Sequence, residues 1–459
     1  MQKDKDQSGS ERHVDLRRDL RKSDRLSLAA LGYAVIVGAL AGLIGVLFQL
    51  LVGWMIHQRP IFVSGLFSSP WTIGLASFAV SGLLAGAAYF LVNRFSPESG
   101  GSGIHEIEAA LLDLRPVRWW RVLPVKFIGG VGSLGAGMVL GREGPTVQMG
   151  GNLGQMVSDL SGIRDREMRH ALLSAGSAGG LAAAFNAPLA GILFVIEEMR
   201  AEFKYSLVSI KAVFIGAIIS TIVYRALIGQ GPILMMGNFS MPPQERLWLY
   251  FVLGLLFGAI GVGFNHALLT LQQAFQNFYR GRMPRFVLTG AFLGGSCGLL
   301  GIYVPELAGG GFDVARKAGT GELGLNLLML IFLMRFLTST ISFSSGAPGG
   351  IFSPLLALGA TFGGAFGYAA TALLPHSGLQ AGSFAVAGMG ALFAATVRAP
   401  LTGTILVLEM TSSYSLILPT IITCLGATIV AQILGGRPLY TVLMENILER
   451  NGIRFTRSD

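Results

Sequence analysis

Three short segments concentrate glycine and polar residues in an otherwise apolar chain. They are Gly100-Gly-Ser-Gly-Ile-His-Glu106, Gly141-Arg-Glu-Gly-Pro145 and Ser344-Ser-Gly-Ala-Pro-Gly-Gly-Ile-Phe-Ser-Pro354. In each, glycines precede an expected helix start, and Pro145 and Pro354 fall near first-turn positions. A helix N-terminus offers free N–H groups and about half a positive charge, so it attracts an anion without a full cation. Several such ends meeting at the membrane midplane would hold a small anion such as chloride firmly enough to select it and loosely enough to release it. The competing use of these glycines is close helix packing, common for small residues in membranes.

Glu143 is the sharpest single residue. A carboxylate inside a membrane costs roughly 3 kcal/mol unless it is neutralised or paired, so its presence points to function. Arg142 is adjacent, but neighbouring helix positions point about 100° apart, which argues against a direct pair. Beside an anion site a charged Glu143 competes with the ion, and a protonated one vacates the site. Burial and a nearby anion both penalise the charged form. Glu197 and Glu198 close the apolar run 182–196; they are either a solvated helix end or an entry point for protons. Glu106, Glu108 and Lys126 are expected to form a structural ion-pair cluster, and Arg335 a structural ion-pair partner.

The elements that must position these groups are membrane helices. The chain has 459 residues, 52% hydrophobic and only 13% charged, too little charge to cover a soluble surface. Apolar runs long enough to span occur at 28–54, 71–93, 171–198, 207–228, 247–269, 352–374, 382–410 and 414–434. A soluble α/β chain would show runs of about 4 to 8 residues instead. Asn186-Ala-Pro188 and Arg398-Ala-Pro400 interrupt two of the runs, so split helices are expected there, buried in protein or lining a wet cavity.

The net charge of +9 does not indicate nucleic acid, because the basic residues sit between apolar segments, as in Arg115-Pro-Val-Arg118-Trp-Trp-Arg121. Cys297 and Cys424 read as packing residues. Gly130-Val-Gly-Ser-Leu-Gly135 fits a dinucleotide fingerprint but lacks a preceding strand, and reads as helix packing. The histidines form no metal motif, and no cofactor is expected. Ser345 and His266 lie in separate segments and do not support a protease.

An internal repeat is visible. Ala187-Pro-Leu-Ala-Gly-Ile-Leu-Phe-Val-Ile-Glu197 matches Ala399-Pro-Leu-Thr-Gly-Thr-Ile-Leu-Val-Leu-Glu409, 212 positions later. Gly141-Arg-Glu-Gly-Pro145 matches Gly350-Ile-Phe-Ser-Pro354, 209 positions later. The expected organisation is a polar N-terminal arm (1–27), a first membrane half (28–230), a second (245–436) and a short C-terminal helix and tail (437–459). The arm mixes eight Lys/Arg with six Asp/Glu and does not read as a cleaved signal. With Arg437, Arg450, Arg454 and Arg457 at the other end, both termini are expected to be cytoplasmic. Repeated halves commonly meet at the substrate site. The repeat alone leaves open whether they run parallel or inverted.

At these segments the sequence resembles the CLC family of chloride channels and chloride/proton antiporters, and within it the bacterial exchanger branch. The motifs Gly-Ser-Gly-Ile-x-Glu, Gly-Arg-Glu-Gly-Pro and Gly-Gly-Ile-Phe-x-Pro carry the resemblance, which extends from about residue 28 to 445. It implies an all-α polytopic fold with inverted-topology halves and broken, re-entrant helices. It further implies a pore in each subunit of a homodimer in the inner (plasma) membrane. Central chloride would be held by the hydroxyls of Ser102 and Tyr440 and by the N–H groups of Ile351 and Phe352. Glu143 would be the gating glutamate. Glu198 would be the internal proton-transfer glutamate, an acid that the family's channels usually lack. Ser102 fits chloride preference, since nitrate-selecting relatives tend to carry proline there. One departure is His105, where the family motif usually has proline; it removes a preset φ and adds a titratable group. The expected activity is chloride/proton exchange, with a passive chloride channel on the same scaffold as the alternative; neither is an enzyme.

Overall fold

The computed structural model describes residues 3–199, 203 and 205–453, with side chains from Leu28 onward. The side chains of the N-terminal arm, and Arg200, Arg454 and Arg457, lie outside the described residues. Among the described residues there are 17 α-helices, and the β-structure is a single isolated bridge. The first half holds α1 (Lys3–Leu66), α2 (Pro70–Phe95), α3 (Ile104–Leu111), α4 (Trp119–Gly135), α5 (Glu143–Leu160), α6 (Arg166–Phe185), α7 (Pro188–Glu197) and α8 (Leu207–Leu227). The second repeats the series: α9 (Leu247–Tyr279), α10 (Met283–Tyr303), α11 (Phe312–Thr320), α12 (Leu325–Ser344), α13 (Phe352–Leu373), α14 (Ala381–Val397), α15 (Pro400–Thr411) and α16 (Ile417–Ile433). A last helix, α17 (Leu439–Arg450), follows.

Among the described residues, eight helices are long and apolar enough to cross a membrane: α1 from Leu28, α2, α8, α9, α10, α12, α13 and α16. The apolar runs 171–198 and 382–410 are each two helices. Asn186 (φ 49°) and Arg398 (φ 72°) take the left-handed conformation and end α6 and α14, and Pro188 and Pro400 then open α7 and α15. Proline is suited to that first position because its missing N–H would have no intrahelical partner. Helices α10 and α12 both fall outside the spanning runs read from sequence, since glycines dilute the apolar signal of the first and Arg335 interrupts that of the second.

Close packing within each half depends on glycine at equivalent places. A β-carbon on Gly150 would overlap the carbonyl oxygen of Gly176, and one on Gly176 would overlap that of Gly150. Gly359 and Gly388 repeat the same reciprocal contact between α13 and α14. Backbone thus touches backbone where each half's central helix pair crosses, the small-residue packing expected where lipid supplies no hydrophobic drive.

The halves are related by a two-fold axis, visible in contacts that pair equivalent residues. Gly141 and Gly350 exchange both backbone hydrogen bonds, at 2.7 and 2.6 Å. Glu197, ending α7, accepts from the N–H groups of Leu401 (3.0 Å) and Thr402 (2.6 Å) at the start of α15. Glu409, near the end of α15, accepts from Leu189 (3.2 Å) and Ala190 (2.9 Å) at the start of α7. Each helix therefore lies with its end against the other's beginning. Equivalent helices run antiparallel, which is the relation an inverted repeat requires.

Candidate functional site

The three glycine-rich segments meet. Gly101 and Gly103 adopt φ values of +61° and +85°, which turns the chain tightly into α3. That turn lays the Ser102 hydroxyl against the α-carbon of Gly144, where a side chain would collide with it. Gly349 donates its N–H to the Gly101 carbonyl (3.1 Å), and the Gly141–Gly350 bridge joins the second and third segments. The starts of α3, α5 and α13 are thereby held around one point.

A buried cation braces the loop in each half. Lys126 donates from Nζ to the carbonyls of Ser99 (3.0 Å) and Gly101 (2.7 Å). Arg335, 209 positions later, donates to the carbonyls of Glu306 (2.7 Å), Ala308 (3.2 Å) and Gly309 (2.8 Å). Both differ from the expected ion-pair roles. Glu106 instead pairs with Arg115 at 2.9 Å, and within 4 Å neither buried cation has a carboxylate among the described residues. Carbonyls are the partners because these loops leave backbone acceptors buried that no helix satisfies.

Glu143 is the first residue of α5 and fully buried. Its carboxylate reaches across to the start of α13, where the Ser353 hydroxyl donates to one oxygen and the Ser353 N–H approaches the other at 3.4 Å. Arg142 turns away, as the helix geometry predicts. It donates to the Ala184 carbonyl (3.2 Å) and lies over the Phe312 ring at 5.4 Å.

Ile351 and Phe352 open α13, and both are fully buried. The first N–H groups of a helix have no intrahelical acceptor, so this end presents donors. The Phe352 ring packs against Phe185, Phe194 and Phe393, and stacks on Tyr440 at 6.0 Å. Tyr440 comes from α17 and is fully buried, with its hydroxyl beside that of Ser102. Neither hydroxyl makes a hydrogen bond of normal geometry. Two buried hydroxyls that lie side by side with no well-formed hydrogen bond, next to a helix end, are suited to a small dehydrated anion, since a poorly satisfied buried polar group otherwise costs about 1–3 kcal/mol.

Glu197 and Glu198 divide sharply. Glu197 is committed to the start of α15, where the Thr402 hydroxyl adds a third contact at 2.7 Å. Glu198, the next residue, is half-buried and within electrostatic reach of the Tyr440 hydroxyl. His105 is buried on α3 and lines a cavity of about 350 Å³ shared with Glu98, Gly101, Glu106, Arg115 and Arg450. That cavity runs up to the glycine turn carrying Ser102.

Sequence reasoning named the six residues Ser102, Glu143, Glu198, Ile351, Phe352 and Tyr440, and it missed Ser353. A serine inside Gly-Gly-Ile-Phe-Ser-Pro carries no signal of its own. Only the crossing of α5 over α13 gives it a carboxylate to meet. The capping by Glu197 and Glu409 had a signal, because both occupy the same place in the repeat.

The chain matches the family model described as voltage gated chloride channel over residues 82–432. It is 55% identical over 439 residues to the H(+)/Cl(-) exchange transporter ClcA of Salmonella schwarzengrund, covering 96% of this chain and 93% of that protein. It is 56% identical over the same length and shares to the protein of that name in Citrobacter koseri. Among solved structures, a slow cyanobacterial Cl-/H+ antiporter superposes with a TM-score of 0.88 at 38% identity, over 92% of this chain and 99% of that one. A eukaryotic CLC transporter shares the fold, with a TM-score of 0.77 at 23% identity over 91% of this chain and 74% of that one. With a repeated helix series, paired helix ends around a buried carboxylate and matches across nearly its whole length, this chain belongs to the voltage-gated chloride channel (CLC) family.

Proposed function

We propose that the protein exchanges chloride for protons across the membrane. Chloride is held by the hydroxyls of Ser102 and Tyr440 and the N–H groups of Ile351 and Phe352. Glu143 occupies the start of α13 when charged and leaves it when protonated, so each proton it takes up frees a place for an anion. Glu198 passes that proton to and from the other side, and the two routes share Glu143 and diverge beyond it. The observation that carries this reading is the Glu143 carboxylate seated on the α13 start, near two buried hydroxyls that make no well-formed hydrogen bond. The exchanger names of the relatives support it.

The reading extends to a homodimer with one pathway per subunit, in the inner membrane, with both termini cytoplasmic. No enzymatic step is assigned. The test is chloride efflux from proteoliposomes under a steep chloride gradient, with external pH recorded together. Uphill proton movement, abolished in Glu198→Ala and in Glu143→Ala, is the expected result. Chloride flux without proton movement in the unmodified protein would make it a channel and leave Glu198 an ordinary helix-end carboxylate.

A further inference from the structure

A second charged feature lies apart from the anion site. The end of α3, the loop leading to α4, and the turn between α5 and α6 enclose a cleft of about 320 Å³. Arg115, Arg164, Arg166 and Arg169 line it together with His170, and Asp113 is the one acid among its described lining residues. Asp113 is occupied: it pairs with Arg166, and it meets His170 Nε2 at 2.9 Å. Arg115 leans on Glu106 at 2.9 Å, and Arg169 is only loosely matched to Asp159 at 4.0 Å. Arg164 has no ion pair within 4 Å among the described residues. His170 is 6% exposed, and its Nδ1 is buried with no hydrogen-bond partner.

Like charges gathered in one cleft repel one another, and the acids nearby answer them only in part. A further anion of high charge density would complete the set. Guanidinium groups present planar forks that match the oxygens of phosphate, whereas chloride offers no geometry for a fork to use. The depth of the cleft is also informative. Trp119 and Trp120 follow it directly, Trp119 donating to Asp159 (3.0 Å) and Trp120 being 55% exposed. Tryptophans of this kind mark the headgroup level of a membrane, where basic pockets between helices take lipid phosphates.

We propose that this cleft binds a phosphate group, carried either by an anionic lipid headgroup or by a soluble phosphate ester. The site is separate from Ser102 and Glu143 and does not depend on the transport reading.

The test compares the full-length protein with Arg164→Gln/Arg169→Gln, using two probes. Retention of dioleoylphosphatidylglycerol against dioleoylphosphatidylcholine is read by native mass spectrometry. Binding of inorganic pyrophosphate is read by titration in detergent free of anionic lipid. The expected result is at least one phosphatidylglycerol fewer on the variant, or a tenfold or greater weakening of pyrophosphate binding. Loss of the lipid alone identifies a headgroup as the source, and loss of pyrophosphate alone a soluble phosphate compound. Equal retention of both probes by the two proteins overturns the proposal. Arg164→Gln alone carries the same test if the double variant unfolds, since Arg164 has no ion pair within 4 Å among the described residues.

Discussion

Ser353→Ala isolates the contact that holds Glu143 on the start of α13. In the structure the Ser353 hydroxyl donates to the carboxylate, and the Ser353 N–H lies at 3.4 Å, too long to carry much of the attraction. A hydrogen bond to a charged group contributes about 1.5–3 kcal/mol. The alanine leaves the buried Glu143 carboxylate without its hydroxyl donor, so the loss is at least about 1.5 kcal/mol, and that is about a tenfold change in an equilibrium. Carboxylate and chloride compete for the same helix end, so weakening one favours the other. Apparent chloride affinity should rise by about tenfold or more, measured by isothermal titration of the purified protein at neutral pH. In a Glu143→Gln background there is no charged carboxylate to release, and the same substitution should leave chloride affinity unchanged. An equal shift in both backgrounds would mean that Ser353 touches the anion itself. No shift in the native background would remove the competition from the mechanism.

Gly150→Ala should lower thermal stability in detergent by about 1–3 kcal/mol or more, because the methyl must displace the Gly176 carbonyl; an unchanged melting temperature would contradict the packing described. Glu197→Gln and Glu409→Gln should each cost about 1 kcal/mol as lost caps. The two sites lie at opposite ends of a 10-residue helix, about 15 Å apart, so their costs should add, and a double variant no worse than either single one would refute independence. Lys317 donates to Glu306 at 3.0 Å and holds that carboxyl below its usual range. The contribution is present above the ordinary carboxylate pKa and is lost as pH falls through the lowered value. Glu306→Gln should therefore flatten the acid limb of the stability–pH profile below about pH 4, while an unaltered limb would show that the pair contributes nothing.

The sequence made local and repeated features legible, and hid those that arise where distant segments cross. Ala-Pro after Asn186 or Arg398 is a local signal, and it marked both split helices. The near-constant spacing of the repeat identified two halves, but their antiparallel relation emerges only when Glu197 and Glu409 are seen capping each other's helices. The three glycine segments were legible as helix starts, and their meeting was not, since Gly141 and Gly350 touch across 209 positions. Lys126 and Arg335 were read as ion-pair partners because charge predicts charge. Burial reversed that expectation, since the unsatisfied groups near them are carbonyls. The pair Glu197-Glu198 was ambiguous in sequence, and the structure separates them by engaging the first with α15.

The mutual capping of α7 and α15 also imposes an order on biosynthesis. The N–H groups of Leu189 and Ala190 depend on a carboxylate that lies 220 positions beyond Leu189. A ribosome adding about 5–20 residues per second reaches Glu409 roughly 10–45 s after Leu189 has been made. Through that interval the first half stands in the membrane with the start of α7 bare, and it cannot complete its own structure however well its helices insert. Only when the second half arrives do both ends close, each by the other's glutamate.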